Sequence, residues 1–277
     1  MFFKRAIRQK GLIVSLLIVV GLVCGSFLVS MLGLMHPLDI DLRESSKAPS
    51  AQHVFGTDSY GRDLFARVVY GVRLSSLAAI LVTIIASVLG GVVGMIAGFR
   101  GGVLDEVLSR GIDIMMAFPP LLLAIALLAS MGAGFDSLVT ALSIVYIPRI
   151  ARVTRSAAKS IASEDFITAA SAQGAGFVRT LLWHVLPGVF PILLTQATVY
   201  MAQVMVWEGA LSFLGLGIPQ PIPSLGNILA EGRGYLRVAP WISIFPGFTI
   251  TILVLSINII GDTALDLVDP RMKGVMK

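Results

Sequence analysis

The sequence predicts an all-α, polytopic membrane protein with six transmembrane helices, and three observations carry that prediction. Of its 277 residues, 56% are hydrophobic and only 13% are charged, against roughly 25% charged in an ordinary soluble domain. Five intervals, 11–38, 74–99, 114–135, 180–207 and 238–261, contain no Asp, Glu, Lys or Arg, and each exceeds the ~20 residues that a helix needs to cross a ~30 Å hydrocarbon core. The third observation is where the basic residues fall. The net charge of +5 reads as a topology signal, and no nucleic-acid partner is expected.

The first interval follows Lys4, Arg5, Arg8 and Lys10. It is too long for the 7–15-residue core of a signal peptide and no A-x-A-like site follows it, so it is an uncleaved first span. The fourth span is the short one, because only residues 137–148 are uncharged between Asp136 and Arg149. Arg149, Arg152 and Arg155 can extend it to 155 by snorkelling. With six spans and the N-terminus inside, fourteen Lys and Arg lie inside and seven outside. Without the fourth span the partition becomes eight against thirteen, which contradicts the positive-inside rule. Inverting that five-span arrangement exports four basic residues beside the first helix, which usually sets orientation. Both termini are therefore expected on the cytoplasmic side, with a boundary between residues 1–73 (tail, first span and outer segment) and residues 74–277 (a core of five spans).

Within the outer segment 35–73, a polar start gives way to Leu64, Phe65, Val68 and Val69 at helical spacing. That pattern predicts an amphipathic helix lying on the membrane before the second span. Gly90, Gly94 and Gly98 recur every four residues inside the second span. Such a row either lets another helix approach closely or is incidental glycine, which is common in membrane helices. Residues 212–226 carry Pro219, Pro221 and Pro223, which remove backbone donors and impose extended geometry. A non-helical outer cap is expected there, with Phe213, Leu214, Gly215 and the three prolines as an outer vestibule. Residues 149–187 form the largest inside segment. Ile161, Phe166, Ala169, Ala170 and Gln173 predict a short helix, Gly174 and Gly176 break it, and Leu181, Leu182 and Val185 begin a second apolar face. This hairpin either docks another protein or packs on its own spans.

Several chemistries lack their residues. No G-x-x-x-x-G-K-[ST] pattern occurs, so no ATP hydrolysis by this chain is expected, and no G-x-S-x-G elbow or H-E-x-x-H motif is present. His36, His53 and His184 are widely separated, and Cys24 is the only cysteine, so neither a metal site nor a disulfide is expected. Asp113 and Glu208 approach membrane depth at predicted span ends, as interfacial anchors, interhelical hydrogen-bonding groups or ion-coupling sites. Met115, Met116, Met201, Met205 and Glu208 are the candidate pathway lining, although methionine serves equally as ordinary helix packing.

The run Thr168-Ala169-Ala170, then Gly174, then Leu186-Pro187 resembles the EAA loop of binding-protein-dependent ATP-binding cassette importer permeases. Further segments resemble the branch that imports dipeptides, oligopeptides and nickel: GTDSYGRDLFARVVYGVR at 56–73, GFRGGVLDEVLSRGIDIMMAFP at 98–119, LSFLGLGIPQPIPSLG at 211–226, APWISIFPG at 239–247 and GDTALDLVDPRMK at 261–273. The resemblance implies the type I importer permease fold in the cell inner membrane, within lipid. It also implies a homologous second permease, two cytoplasmic ATPases that bind the ATP, and an external substrate-binding protein. No cofactor is expected in this chain. Glu164, Asp165, Thr168, Ala169, Ala170, Gly174, Ala175, Leu186 and Pro187 would form the ATPase-coupling loop. Thr168 stands where the family motif has Glu, so an ion pair from that position is not implied, and Glu164 or Asp165 could supply the charge if the helix presents them outward. The rival reading is a secondary carrier or a stand-alone channel.

Overall fold

A computed structural model describes residues 10–268. The basic residues at 4–8 and 271–277, which helped to place the termini, lie outside them. Membrane-spanning chains must satisfy backbone N–H and C=O groups internally, and the described residues are helical with only one isolated bridge, Thr57 to Asp63. In order these are α1 (Lys10–Met31), α2 (Leu64–Arg100), α3 (Gly102–Met116), α4 (Pro120–Met131), α5 (Phe135–Ala162), α6 (Asp165–Ala172), α7 (Phe177–Thr180), α8 (Leu186–Phe213), α9 (Leu225–Gly232) and α10 (Trp241–Val268). A π turn, Leu181–Val185, makes α7 and α8 one continuous rod. Pro187 has no N–H to offer the carbonyl one turn back, and the helix widens immediately before it, where the Leu186 N–H reaches the Leu181 carbonyl.

Three expectations are corrected. The amphipathic surface helix does not exist as a separate element, because Leu64 begins a continuous 37-residue helix. Asp63 caps it, accepting the Ala66 N–H at 2.7 Å. Leu64 and Val68 are buried in the protein core rather than laid on a bilayer. The boundary at 73/74 accordingly falls within α2. The interval 114–135 is not one straight span: α3 and α4 meet at 85°. The tandem Pro119-Pro120 accounts for this: proline disfavours the helical conformation in the residue before it, and Pro119, before Pro120, is extended with ψ 130° at the break Ala117–Pro119. Finally, the helix expected to run to residue 155, with Arg149, Arg152 and Arg155 on it, continues to Ala162.

The glycine row decides how the bundle is built. A Cβ on Gly90 would lie 2.6 Å from the Ile147 carbonyl oxygen, on Gly94 2.3 Å from that of Ala151, and on Gly98 2.3 Å from that of Arg155. The two backbones therefore touch along the whole row, which only glycine permits. Because rising numbers on α2 meet rising numbers on α5, the helices run parallel. The chain between them must return through the bundle, so the bent pair α3–α4 supplies the sixth crossing.

This alternation gives the bundle two ends. The loop-rich end gathers residues 32–63, 132–134 and 214–240. The hairpin end gathers 163–176, with α3 strapped beside it by Arg155 Nη2 to Asp105 Oδ2 at 2.7 Å and by an ion pair between Arg152 and Asp113. The main core runs between α2, α5, α8 and α10. A smaller one, Met95, Ala158, Ile167, Leu181, Val185 and Val189, lies beneath the hairpin.

Candidate functional site

At the hairpin end, α6 is eight residues long. Ile167 is only 5% exposed and pins the helix to the smaller core. Glu164, Asp165, Thr168 and Ala169 are exposed and Ala170 is half-buried, so both acidic residues and Thr168 are open to a partner. The helix stops as glycine allows. Gly174 has φ +83°, in the left-handed region that terminates helices without a Cβ clash. The Gln173 N–H donates to the Ala169 carbonyl and the Ala175 N–H to that of Ala170, both at 3.1 Å. Leu186 and Pro187 are not in the exposed helix but open α8, behind the π turn. The loop motif thus has two parts, an outward short helix and the root of a rigid rod.

The loop-rich end is organised by Glu208, which is 0% exposed. Its Oε1 accepts from Ser224 Oγ at 2.7 Å and Ser212 Oγ at 3.0 Å, and its Oε2 from Ser75 Oγ at 2.9 Å. The Gly226 N–H also donates to it. A carboxyl group at the start of α9 satisfies helix donors that have no other partner. A side chain on Gly226 would come within 2.7 Å of Glu208 Oε1. Asn227 completes a capping box with Ser224, and its Nδ2 donates to the carbonyls of Ile218 at 3.3 Å and Ile222 at 2.5 Å. The proline segment is therefore tethered to the bundle. Residues 214–224 are non-helical, with Leu214, Gly215, Pro219 and Pro221 exposed, Pro223 buried, and Phe213 exposed at the end of α8.

The candidate lining does not assemble into one surface of this chain. Met205 is 1% exposed and Glu208 is enclosed, so both face their own chain's core. Glu208 instead takes the interhelical hydrogen-bonding role. Met201 is half-buried on α8, and Met115 and Met116 are half-buried at the end of α3.

A cluster that sequence reasoning missed sits at the same loop-rich end, toward the other end of α9. Arg67 Nη1 is 2.6 Å from both Asp58 Oδ2 and Glu231 Oε2, and its Nη2 is 2.9 Å from Glu231 Oε1. Arg62 Nε meets Asp58 Oδ2 at 2.6 Å and Arg62 Nη2 meets Glu231 Oε2 at 3.1 Å. These four side chains are nearly inaccessible. They join the segment before α2 to α9, some 164 residues later in the chain. Nearby, the Trp241 indole N–H donates to the Thr57 carbonyl at 3.1 Å, and Phe55 stacks on Phe245 with centroids 4.0 Å apart. The available signal was Asp58, Arg62 and Arg67 recurring within one motif in an otherwise apolar chain. Counting the arginines only as topology markers concealed it.

The family model described as "Binding-protein-dependent transport system inner membrane component" matches residues 90–274. The dipeptide transport system permease protein DppC of Alkalihalophilus pseudofirmus is 38% identical over 271 residues, 98% of this chain and 89% of that protein. The di/tripeptide transport system permease protein DppC of Pseudomonas aeruginosa is 39% identical over 226 residues, 80% of this chain and 74% of that one. Among solved structures, an inward-facing form of the MetNI methionine ABC transporter is similar with a TM-score of 0.63 at 20% identity, covering 74% of this chain and 98% of its own. That last likeness concerns the fold. With two thirds of the chain inside the family model, and the helical bundle, exposed hairpin and tethered loop-rich end in place, the chain belongs to the binding-protein-dependent transport system inner membrane component family and is a membrane permease subunit of such an importer.

Proposed function

We propose that this permease carries peptides, that it forms half of a translocation pathway with a second, homologous permease, and that two cytoplasmic ATPases drive it through α6. The observation that carries the proposal is the form of the hairpin. A short helix with Glu164, Asp165, Thr168 and Ala169 facing outward is pinned by Ile167 to the root of the α7–α8 rod. A displacement of α6 is therefore passed to a helix that runs the depth of the bundle. The names of the relatives support peptides as cargo.

In this reading the hairpin end and both termini are cytoplasmic and the loop-rich end faces the substrate-binding protein. ATP is bound by the partner ATPases, whose closure pushes α6 and turns the permease pair to face outward. Cargo released by the binding protein then enters between the two permeases. Glu164 and Asp165 supply the negative charge that Thr168 lacks. This chain performs no covalent chemistry.

Gly174→Val tests the coupling role. A Cβ there meets nothing within 4 Å, so the penalty is purely the backbone's, about 1–2 kcal/mol for a side chain in the left-handed region. The variant should insert and assemble. In reconstituted vesicles its ATP hydrolysis should lose its response to liganded binding protein, and peptide uptake should fall with it. Stimulation and uptake equal to wild type would remove α6 as the coupling point.

A further inference from the structure

Arg149 is the fifteenth of the 28 residues of α5, roughly 20 Å from either end at 1.5 Å per residue. In the proposed orientation that position lies in the inner half of the span, where ionisable side chains face a wet cavity or a partner. Helical side chains lean toward the N-terminus, and the guanidinium accordingly lies over Tyr146, one turn back, with Cζ 5.6 Å from the ring centroid. Its neighbours Arg152 and Arg155 are each paired with an aspartate. Arg149 has no carboxylate partner among the described residues.

The Tyr146 ring beneath Arg149 is buried in the core. The Tyr146 hydroxyl reaches Gln203 Oε1 at 3.5 Å, and the Tyr146 and Tyr200 ring centroids are 5.1 Å apart. Gln203 is exposed, and its amide NH2 has no partner among the described residues. Toward the hairpin end, α5 and α8 bound a furrow of about 580 Å³ lined by Arg152, Ser156 and Ser160 together with Val153, Ile161 and Ile192. The Arg152 guanidinium, one turn beyond Arg149, and the two serine hydroxyls lie there among apolar side chains, and an ionisable group at membrane depth faces a wet cavity or a partner rather than lipid. A guanidinium fork beside a free amide donor matches a carboxylate and repels a bare metal cation.

We infer that Arg149, held over the buried Tyr146 and acting with the exposed Gln203 amide, binds the carboxylate of the transported solute inside the membrane. The cargo is then a carboxylate-bearing solute such as a free-acid peptide, and not an uncomplexed metal ion. The inference rests on the reading that this chain lines a peptide pathway.

The test uses the whole complex in vesicles, with cysteine-free partner subunits and a Cys24→Ser parent, to which Arg149→Cys is added. A dipeptide with a free carboxylate is the probe, and the readout is uptake per ATP hydrolysed. That ratio should fall about tenfold, the order expected for losing a charge-assisted contact. Treatment with 2-aminoethyl methanethiosulfonate, which restores a cation at the position, should recover most of it, whereas the 2-sulfonatoethyl reagent should not. An unchanged ratio, a cysteine that neither reagent modifies, or loss of the second permease from the purified complex would each overturn the inference. The last outcome would mark an ion pair between subunits. If the parent itself takes up no dipeptide in response to liganded binding protein, the peptide-pathway reading fails, and this inference with it.

Discussion

Arg67 and Glu208 are both fully enclosed at the loop-rich end, and their environments handle the charge differently. Glu208 is solvated by three serine hydroxyls and the start of α9, all neutral donors. Arg67 is neutralised by Asp58 and Glu231, with Arg62 balancing the second negative charge. Breaking such a buried set by removing one partner costs more than the set contributes, because the remaining charges stay buried without compensation. Arg67→Met should therefore destabilise the chain by about 3–5 kcal/mol. Arg67→Lys should recover only part of that, since an ammonium cannot reproduce the bidentate contact with Glu231. Thermal unfolding of the purified protein in detergent measures both. A midpoint for Arg67→Met equal to wild type would show that the quartet does not hold the segment before α2 in place. Glu208 was legible as a residue of interest because an acid in an apolar run is rare. Its partners were not, because Ser75 lies 133 residues away and serines carry no distinguishing pattern.

Helix contacts in lipid depend on how closely backbones approach, so identical substitutions at different glycines should diverge. Gly94→Ala places its Cβ 2.3 Å from a backbone oxygen and 2.8 Å from the Thr154 Cβ. Neither can move without separating α2 from α5, a loss of about 1–3 kcal/mol. Gly111, inside α3, has open space around it, and Gly111→Ala should be neutral or stabilising by about 0.5–1 kcal/mol through helix propensity. Thermal midpoints of the two variants compare them directly, and equal effects would contradict the contact. The glycine row could be read in the sequence because a period of four marks one helix face. The break between α3 and α4 was also written there, as Pro119-Pro120. A search for uncharged intervals passes over it, because proline interrupts a helix without adding charge.

The parallel course of α2 and α5 constrains the whole chain, since it forces the bent pair to cross and makes the number of crossings even. The proposed orientation then places Lys159, exposed at the hairpin end, inside and Arg237, exposed at the loop-rich end, outside. In a Cys24→Ser background, Lys159→Cys should react with impermeant thiol reagents only from the cytoplasmic face and Arg237→Cys only from the opposite face. Labelling of both from one side would contradict the six-crossing topology, and labelling of Lys159→Cys from outside would remove the coupling proposal as well.

Hydropathy and charge were enough to establish a membrane-spanning helical bundle, because the lack of backbone partners in lipid leaves a long uncharged segment few alternatives to a helix. Local chemistry was equally readable. Gly174 ends its helix as its lack of a Cβ allows, and the prolines at 219–223 keep their segment non-helical. Partners distant in sequence were not readable. The Asp58–Arg62–Arg67–Glu231 quartet, the serine shell of Glu208 and the place of Arg149 beside the α5–α8 contact all arise where separate helices meet. An ionisable residue looks the same in a sequence whether it ends a span or lies within one, and the packing of its neighbours settles which.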